Sequence, residues 1–216
     1  MLRLDGVAVT IKGFVILRAI TLEVPAASLI GLVGRNGAGK TTTLKSITGL
    51  PPTAAGSITL DGNDLLSVPS HHRARLGLGY MPEDRRLIGA LTVEDNILLP
   101  AWASRLEGAN ARLAYIYRLM PDVKALAGRR ASQLSGGQQK MVALARALMS
   151  GTKLLLLDEP FEGLSPALGE KLAGTIMELR RDGLSVLMAE SDQKRIGFAQ
   201  AIYGIERGAI VQSAGA

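Results

Sequence analysis

Leu29-Ile30-Gly31-Leu32-Val33-Gly34-Arg35-Asn36-Gly37-Ala38-Gly39-Lys40-Thr41-Thr42 decides the fold of this chain. The first five residues are an unbroken apolar run, as in a strand buried on both faces. Gly34 to Thr41 matches G-x-x-x-x-G-K-[ST] without a mismatch, and a helical pattern follows. Strand, glycine loop and helix in that order are the context of a phosphate-binding loop. The glycines Gly34, Gly37 and Gly39, with Asn36 and Ala38 between them, let the backbone curve into a nest of N–H groups facing phosphate oxygens. The helix N-terminus adds partial positive charge. Lys40 reaches the β- and γ-phosphates, and the Thr41 hydroxyl is suited to Mg²⁺. Thr42, next in the helix, is grouped with the nucleotide contacts. The helix is expected to stop near Gly49, with Pro51 beyond.

Two more apolar runs lie downstream. Leu154 to Leu157 ends in Asp158-Glu159, and Leu184 to Ala189 ends in Glu190. Such strands imply a parallel sheet covered on both faces, with ligands at its carboxyl ends. Asp158 is the expected Mg²⁺ ligand, directly or through water. Glu159, one residue on, is the expected base or orienter of an attacking water. Upstream, Val7, Val9 and Ile11 alternate, as do Ile20, Leu22 and Val24, and Ser57 to Leu60 precede an Asp61-Gly62 turn. These read as half-buried strands. Met141, Leu144, Ala145 and Leu148 follow helical spacing. The expectation is one α/β domain over 1–216. An antiparallel β layer covers about 1–28 and 56–80, a helical segment about 88–145, and the nucleotide-binding core the remainder.

The 216 residues are 47% apolar and 20% charged, ordinary values for a globular domain. The absence of cysteine excludes disulfides and thiolate metal sites. Net charge is +6, but pairs such as Arg85-Arg86, Arg129-Arg130 and Arg180-Arg181 are scattered rather than massed. A solvated basic surface is the plainer reading, with an anionic membrane nearby as the alternative. No run approaches the ~18 apolar residues of a membrane span. Nor does the start of the chain have a signal-peptide core. The chain is therefore expected to stay in the cytoplasm, with any membrane role coming through a partner.

Leu134-Ser135-Gly136-Gly137-Gln138, about 95 residues after Lys40 and about 23 before Asp158, completes the pattern. It resembles the signature of the ATP-binding-cassette (ABC) ATPases, and the resemblance covers about residues 2 to 212. It implies a P-loop NTPase fold with ATP and Mg²⁺ as cofactors. It also implies a dimer in which Ser135, Gly136, Gly137 and Gln138 of one subunit contact ATP held by the other. Gly79 to Leu87, Leu91 to Asn96 and Glu162 to Pro166 are similar to the shorter ATPase of branched-chain amino-acid importers. That similarity implies a second ATPase subunit or a homodimer, two transmembrane permease subunits and, indirectly, a solute-binding protein. In that assembly residues from Glu83 to Trp102 would transmit motion to the membrane subunits.

Several positions depart from the ABC pattern. Glu83 stands where most members have glutamine and could approach Mg²⁺ or the attacking water. Ser165 stands where aspartate is usual. The adenine-stacking aromatic falls on Ile11 in direct register. Phe14 is the near substitute, and a buried core phenylalanine is the other reading. Ser191 replaces the switch histidine that bridges the γ-phosphate and water. Serine donates one hydrogen bond and carries no positive charge. A slow site on this chain is therefore expected, with Glu159 arguing the other way. Trp102 is expected to pack within the helical segment, or to line a groove for a membrane subunit. Two other functions compete: a soluble ABC ATPase acting on nucleic acid or ribosomes, and an ATP-gated clamp with little hydrolysis. The short spacing leaves no room for the coiled coil of chromosome-handling members, and translation-factor members carry two cassettes, so no nucleic acid is expected.

Overall fold

The computed structural model describes residues 1–50 and 55–215; Pro51 lies outside them. In chain order the elements are β1 Leu2–Ile11, β2 Phe14–Val24, β3 Leu29–Val33, α1 Lys40–Thr48, β4 Ala55–Leu60, β5 Asn63–Asp64 and β6 Leu78–Met81. The helical region follows as α2 Val93–Ser104, α3 Ala109–Leu119, α4 Pro121–Lys124 and α5 Gly136–Ser150. The chain ends with β7 Leu154–Asp158, α6 Pro166–Arg181, β8 Ser185–Glu190, β9 Ala201–Glu206 and β10 Ala209–Gly215.

Two sheets organise the molecule. One is antiparallel, in the order β2-β1-β4-β5; the other has six strands, β10-β9-β3-β8-β7-β6. In the second, β9, β3, β8, β7 and β6 run parallel, and β10 closes one edge antiparallel to β9. Every residue of β7 and β8 is buried. Their side chains alternate between two cores. Leu155, Leu157, Val186 and Met188 pack toward the helical layer with α5 and α6. Leu154, Leu156, Leu187 and Ala189 pack toward α1 and the antiparallel sheet. Uniform apolarity in these strands thus follows from cover on both faces.

The expected layer 56–80 needs correction. The antiparallel sheet keeps β4 and β5, but β6 pairs in parallel with β7. Its Gly79 lets α5 approach closely: a Cβ there would lie 2.2 Å from the Ala147 carbonyl oxygen. The alternation in β1 also changes phase. Leu2 and Leu4 are buried, then Val7 and Val9, because a register shift falls between Leu4 and Val7 where Gly6 has φ +59°. Ile11, at the hairpin end, is instead exposed.

α1 begins at Lys40 and ends at Thr48, capped by Gly49, whose φ of +77° is the left-handed stop expected there. Arg73 reinforces that end, donating to the Ser46 and Ile47 carbonyls at 3.1 and 2.7 Å. Among the described residues no helix is long and apolar enough to cross a membrane.

Candidate functional site

The carboxyl ends of β3, β7 and β8 meet beside the start of α1. There an open cavity of about 460 Å³ is lined by Ile16, Asn36, Gly37, Gly39, Lys40, Thr41, Thr42, Glu83 and Glu159. Gly34 and Ala38 complete the loop beneath it, Ala38 buried and its carbonyl accepting from Gly208 N–H. Lys40 is 5% exposed. Its Nζ donates to the Gly34 and Arg35 carbonyls at 2.7 and 3.3 Å, and pairs with Glu159 Oε1 at 3.1 Å. In this arrangement the lysine charge is folded back on the loop and on the prospective base.

Thr41 Oγ1 donates to Asp158 Oδ1 at 3.0 Å, and Tyr80 OH donates to Asp158 Oδ2 at 3.1 Å. Burial pushes the Asp158 carboxyl up, while these two hydrogen bonds draw it down. Burial beside Asp158 raises Tyr80 far above its ordinary value, so its hydroxyl remains a donor. No cluster of three or more acidic or histidine ligands occurs among the described residues. One hydroxyl next to one carboxylate is what Mg²⁺ takes when phosphate oxygens and water supply the other ligands. Thr41 and Asp158 fit it on that chemistry. Glu83 is exposed on the loop after β6, where it lines the cavity.

Glu159 follows β7 with φ +46°, a left-handed conformation that costs on the order of 1–3 kcal/mol for a non-glycine residue. Its carboxylate is held from several sides. Lys40 binds Oε1, and both the N–H and the hydroxyl of Ser191 donate to Oε2 at 3.2 Å. Burial pushes this carboxyl up, but the neighbouring Glu190 carboxyl and the Lys40 ammonium outweigh it and hold it below the ordinary value. Ser191, although exposed, thus turns both its donors to Glu159.

Glu190 was noted in the sequence only as a strand end. It is fully buried, and its Oε1 accepts from Phe161 N–H at 2.9 Å. Arg195 Nη1 lies 3.6 Å from Oε2. Burial and the Glu159 charge push the Glu190 carboxyl up to about 8, although Phe161 N–H opposes them. Its folded value lies above the ordinary 4.5. The stability this carboxyl supports is therefore full below pH 4.5 and falls as pH rises toward 8. Glutamine keeps a donor and an acceptor without needing the proton. Glu190→Gln should raise Tm relative to the parent by about 5 °C at pH 8 and by little at pH 4.5. Thermal denaturation across that range checks it; an equal difference at every pH would count against a retained proton.

The signature residues lie outside this cavity. Ser135 caps α5, its Oγ accepting from Gln138 N–H at 3.3 Å while Gln138 Oε1 accepts from Ser135 N–H at 3.0 Å. Gly136 and Gly137 form the first turn. Ser135 and Gln138 line a separate groove with Val123, Leu126, Met141 and Leu168. Phe14 opens β2 and is 73% exposed, not buried in the core. It does not line the cavity; Ile16 does. Trp102 is 54% exposed on α2, so the packing expectation fails there.

A family profile described as ABC transporter matches residues 17–162. The chain is 36% identical over 212 residues to a high-affinity branched-chain amino acid transport ATP-binding protein, BraG, of Pseudomonas aeruginosa, covering 98% of this chain and 91% of that protein. It is 35% identical to a probable branched-chain amino acid transport ATP-binding protein, LivF, of Archaeoglobus fulgidus (90% and 83%). It is 33% identical to the lipopolysaccharide export system ATP-binding protein LptB of Escherichia coli (93% and 84%). A dimeric cassette in a post-hydrolysis state bound to ADP and Pi shares the fold, with a TM-score of 0.89 at 24% identity, over 100% of this chain and 98% of that one. The chain belongs to the ABC transporter ATPase family: it is a nucleotide-binding ATPase coupled to transport.

Proposed function

We propose that this chain powers an importer of branched-chain or related amino acids, from the cytoplasmic face of the membrane. It would work with a second ATPase subunit, or a second copy, beneath two permease subunits fed by a solute-binding protein. The observation that carries the reading is the separation of the signature from the phosphate-loop cavity. Ser135 presents an open helix N-terminus outside the cavity its own chain provides. Such a terminus suits a phosphate bound elsewhere. A second subunit would supply the phosphate to Ser135 and a signature to this chain's cavity. The amino-acid cargo is supported by the likeness to BraG and LivF, and LptB is the competing relative.

Within the proposed site, Asn36 to Thr42 would hold the phosphates, and Ile16 would face the base more directly than Phe14. Thr41, Asp158 and Glu83 would face Mg²⁺, which when bound neutralises charge on the phosphate oxygens. Phosphates drawing Lys40 off Glu159 would leave that carboxylate free to take a proton from water. Ser191 would then have to leave Glu159 before it could meet the γ-phosphate. A site lacking one such preorganised donor loses on the order of 10²–10³ in rate. Paired with a different ATPase subunit, this chain's own site would accordingly be the slower of two unlike sites. In the assembled complex, Glu159→Gln should leave more than about half of turnover, whereas the matching change in the second ATPase abolishes it. Loss of all turnover with Glu159→Gln alone would end the asymmetric reading.

Affinity capture from native membranes in mild detergent, with mass spectrometry, tests the assembly and its cargo. Recovery of two permeases, a second ATPase and an amino-acid-binding protein is expected. Recovery of lipopolysaccharide-handling subunits would replace the cargo. Recovery of ribosomes or nucleic acid would overturn the transporter assignment.

A further inference from the structure

Lys140 is a buried cation placed between two functional segments. It lies in α5, five residues after Ser135, and is 5% exposed. Its Nζ donates to the Glu159 carbonyl at 2.6 Å and to the Glu162 carbonyl at 2.7 Å. These carbonyls bracket the turn that carries the left-handed Glu159. Burying an ammonium costs several kcal/mol unless it is well compensated. Here its direct partners are main-chain oxygens rather than a carboxylate. An apolar side chain would avoid that cost but leave the two carbonyls without their donor, so what the ammonium contributes is its grip on them.

The rest of α5 is fastened in the same manner. Arg146 binds the carbonyls of Arg85 and Arg86, at 2.6 Å for the latter. Arg85 Nη1 returns to the Gly136 carbonyl at 3.2 Å. Arg112 closes the far end on Leu148 and Gly151 at 2.8 and 2.7 Å. The helix is therefore a stiff element whose first turn is the signature. Lys140 joins it to the Glu159 turn by direct side-chain hydrogen bonds.

We propose that Lys140 is a positioning residue that transmits nucleotide occupancy at this chain's phosphate loop to the signature it presents to a second subunit. The route has three contacts. Nucleotide phosphates attract Lys40, which now pairs with Glu159. The Glu159 turn then adjusts, and Lys140, holding both its carbonyls, moves or tightens the first turn of α5. The proposal rests on the signature serving another subunit, but its test needs only this chain.

The experiment is hydrogen exchange of the amides of residues 137–140 in the full chain, with and without saturating ADP. In the parent, ADP should change their protection by about fivefold or more, a typical coupling. Lys140→Met should abolish that change while ADP affinity at the phosphate loop stays near the parent value. Lys140→Arg, which can still donate to two carbonyls, should restore it. A response to ADP that survives Lys140→Met would overturn the proposal. So would a parent chain that binds ADP with no change at these amides. If the methionine variant does not fold, Lys140→Ala, which reaches neither carbonyl and leaves room for water at both, takes its place, and a full parent-like response to ADP in it would likewise overturn the proposal. Failure of partner capture would sink the importer reading and leave this result standing.

Discussion

Ser135→Asp should cut ATP turnover of the assembled transporter by 10²-fold or more without destabilising the subunit. Serine and aspartate are both strong N-cap residues. Ser135 Oγ accepts from Gln138 N–H, and an aspartate oxygen can take the same bond. The 15-residue α5 also favours negative charge at its N-terminus. Folding stability should therefore be unchanged or slightly higher. At the proposed shared site the same substitution places a carboxylate against the other subunit's γ-phosphate. It also removes a hydroxyl donor, and one preorganised donor is worth on the order of 10²–10³ in rate. Nucleotide affinity at this chain's own phosphate loop should not change, because Ser135 does not line that cavity. Turnover of the complex, Tm and ADP affinity of the isolated chain together separate capping from phosphate recognition. Parent-like turnover with Ser135→Asp would show that the signature does not meet phosphate in this assembly.

The motifs were legible where a few consecutive residues carry the structure. Gly34 to Thr41 specifies its loop through glycine freedom and one lysine. The run Leu154 to Asp158 specifies a strand covered on both faces. What stayed hidden depends on pairings between distant segments. Tyr80 meets Asp158 because β6 lies parallel to β7, a neighbour relation that a sequence separation of 78 does not announce. The same pairing took residues 78–80 out of the expected antiparallel layer. Lys140 reads as a surface cation on a helix, and only the packing of α5 against the turn after β7 buries it. The slip at Gly6 inverts the alternation of β1 midway. For Phe14 the sequence left an adenine contact and a core position both open, and its exposure depends on a hairpin geometry that its neighbours do not encode. Ser191 was visible as a departure. Its hold on Glu159 was not, because β7 and β8 must first lie side by side.

Lys40→Met should produce two separable losses. In the nucleotide-free chain it leaves Glu159 buried without its 3.1 Å partner, and leaves the Gly34 and Arg35 carbonyls without a donor. Breaking a buried ion pair from one side costs about 3–5 kcal/mol. Glu159 is held below its ordinary value in the parent. The stability from that interaction is therefore present above the unfolded value of 4.5 and lost as pH falls through the folded one. The cost of Lys40→Met should be full at pH 7 and should shrink below pH 4.5. Adding Glu159→Gln removes the stranded charge, so the double variant should recover most of the lost stability. Nucleotide affinity behaves differently. One charge-assisted contact to phosphate is worth roughly 10- to 100-fold in binding, and the second substitution offers no replacement. Denaturation and ADP titration of the parent, the two single variants and the double variant complete the cycle. Recovery of stability without recovery of affinity would establish that Lys40 exchanges one partner for another. Strict additivity of the two stability changes would mean that the buried pair contributes nothing, and would remove the proposed release of Glu159 on nucleotide binding.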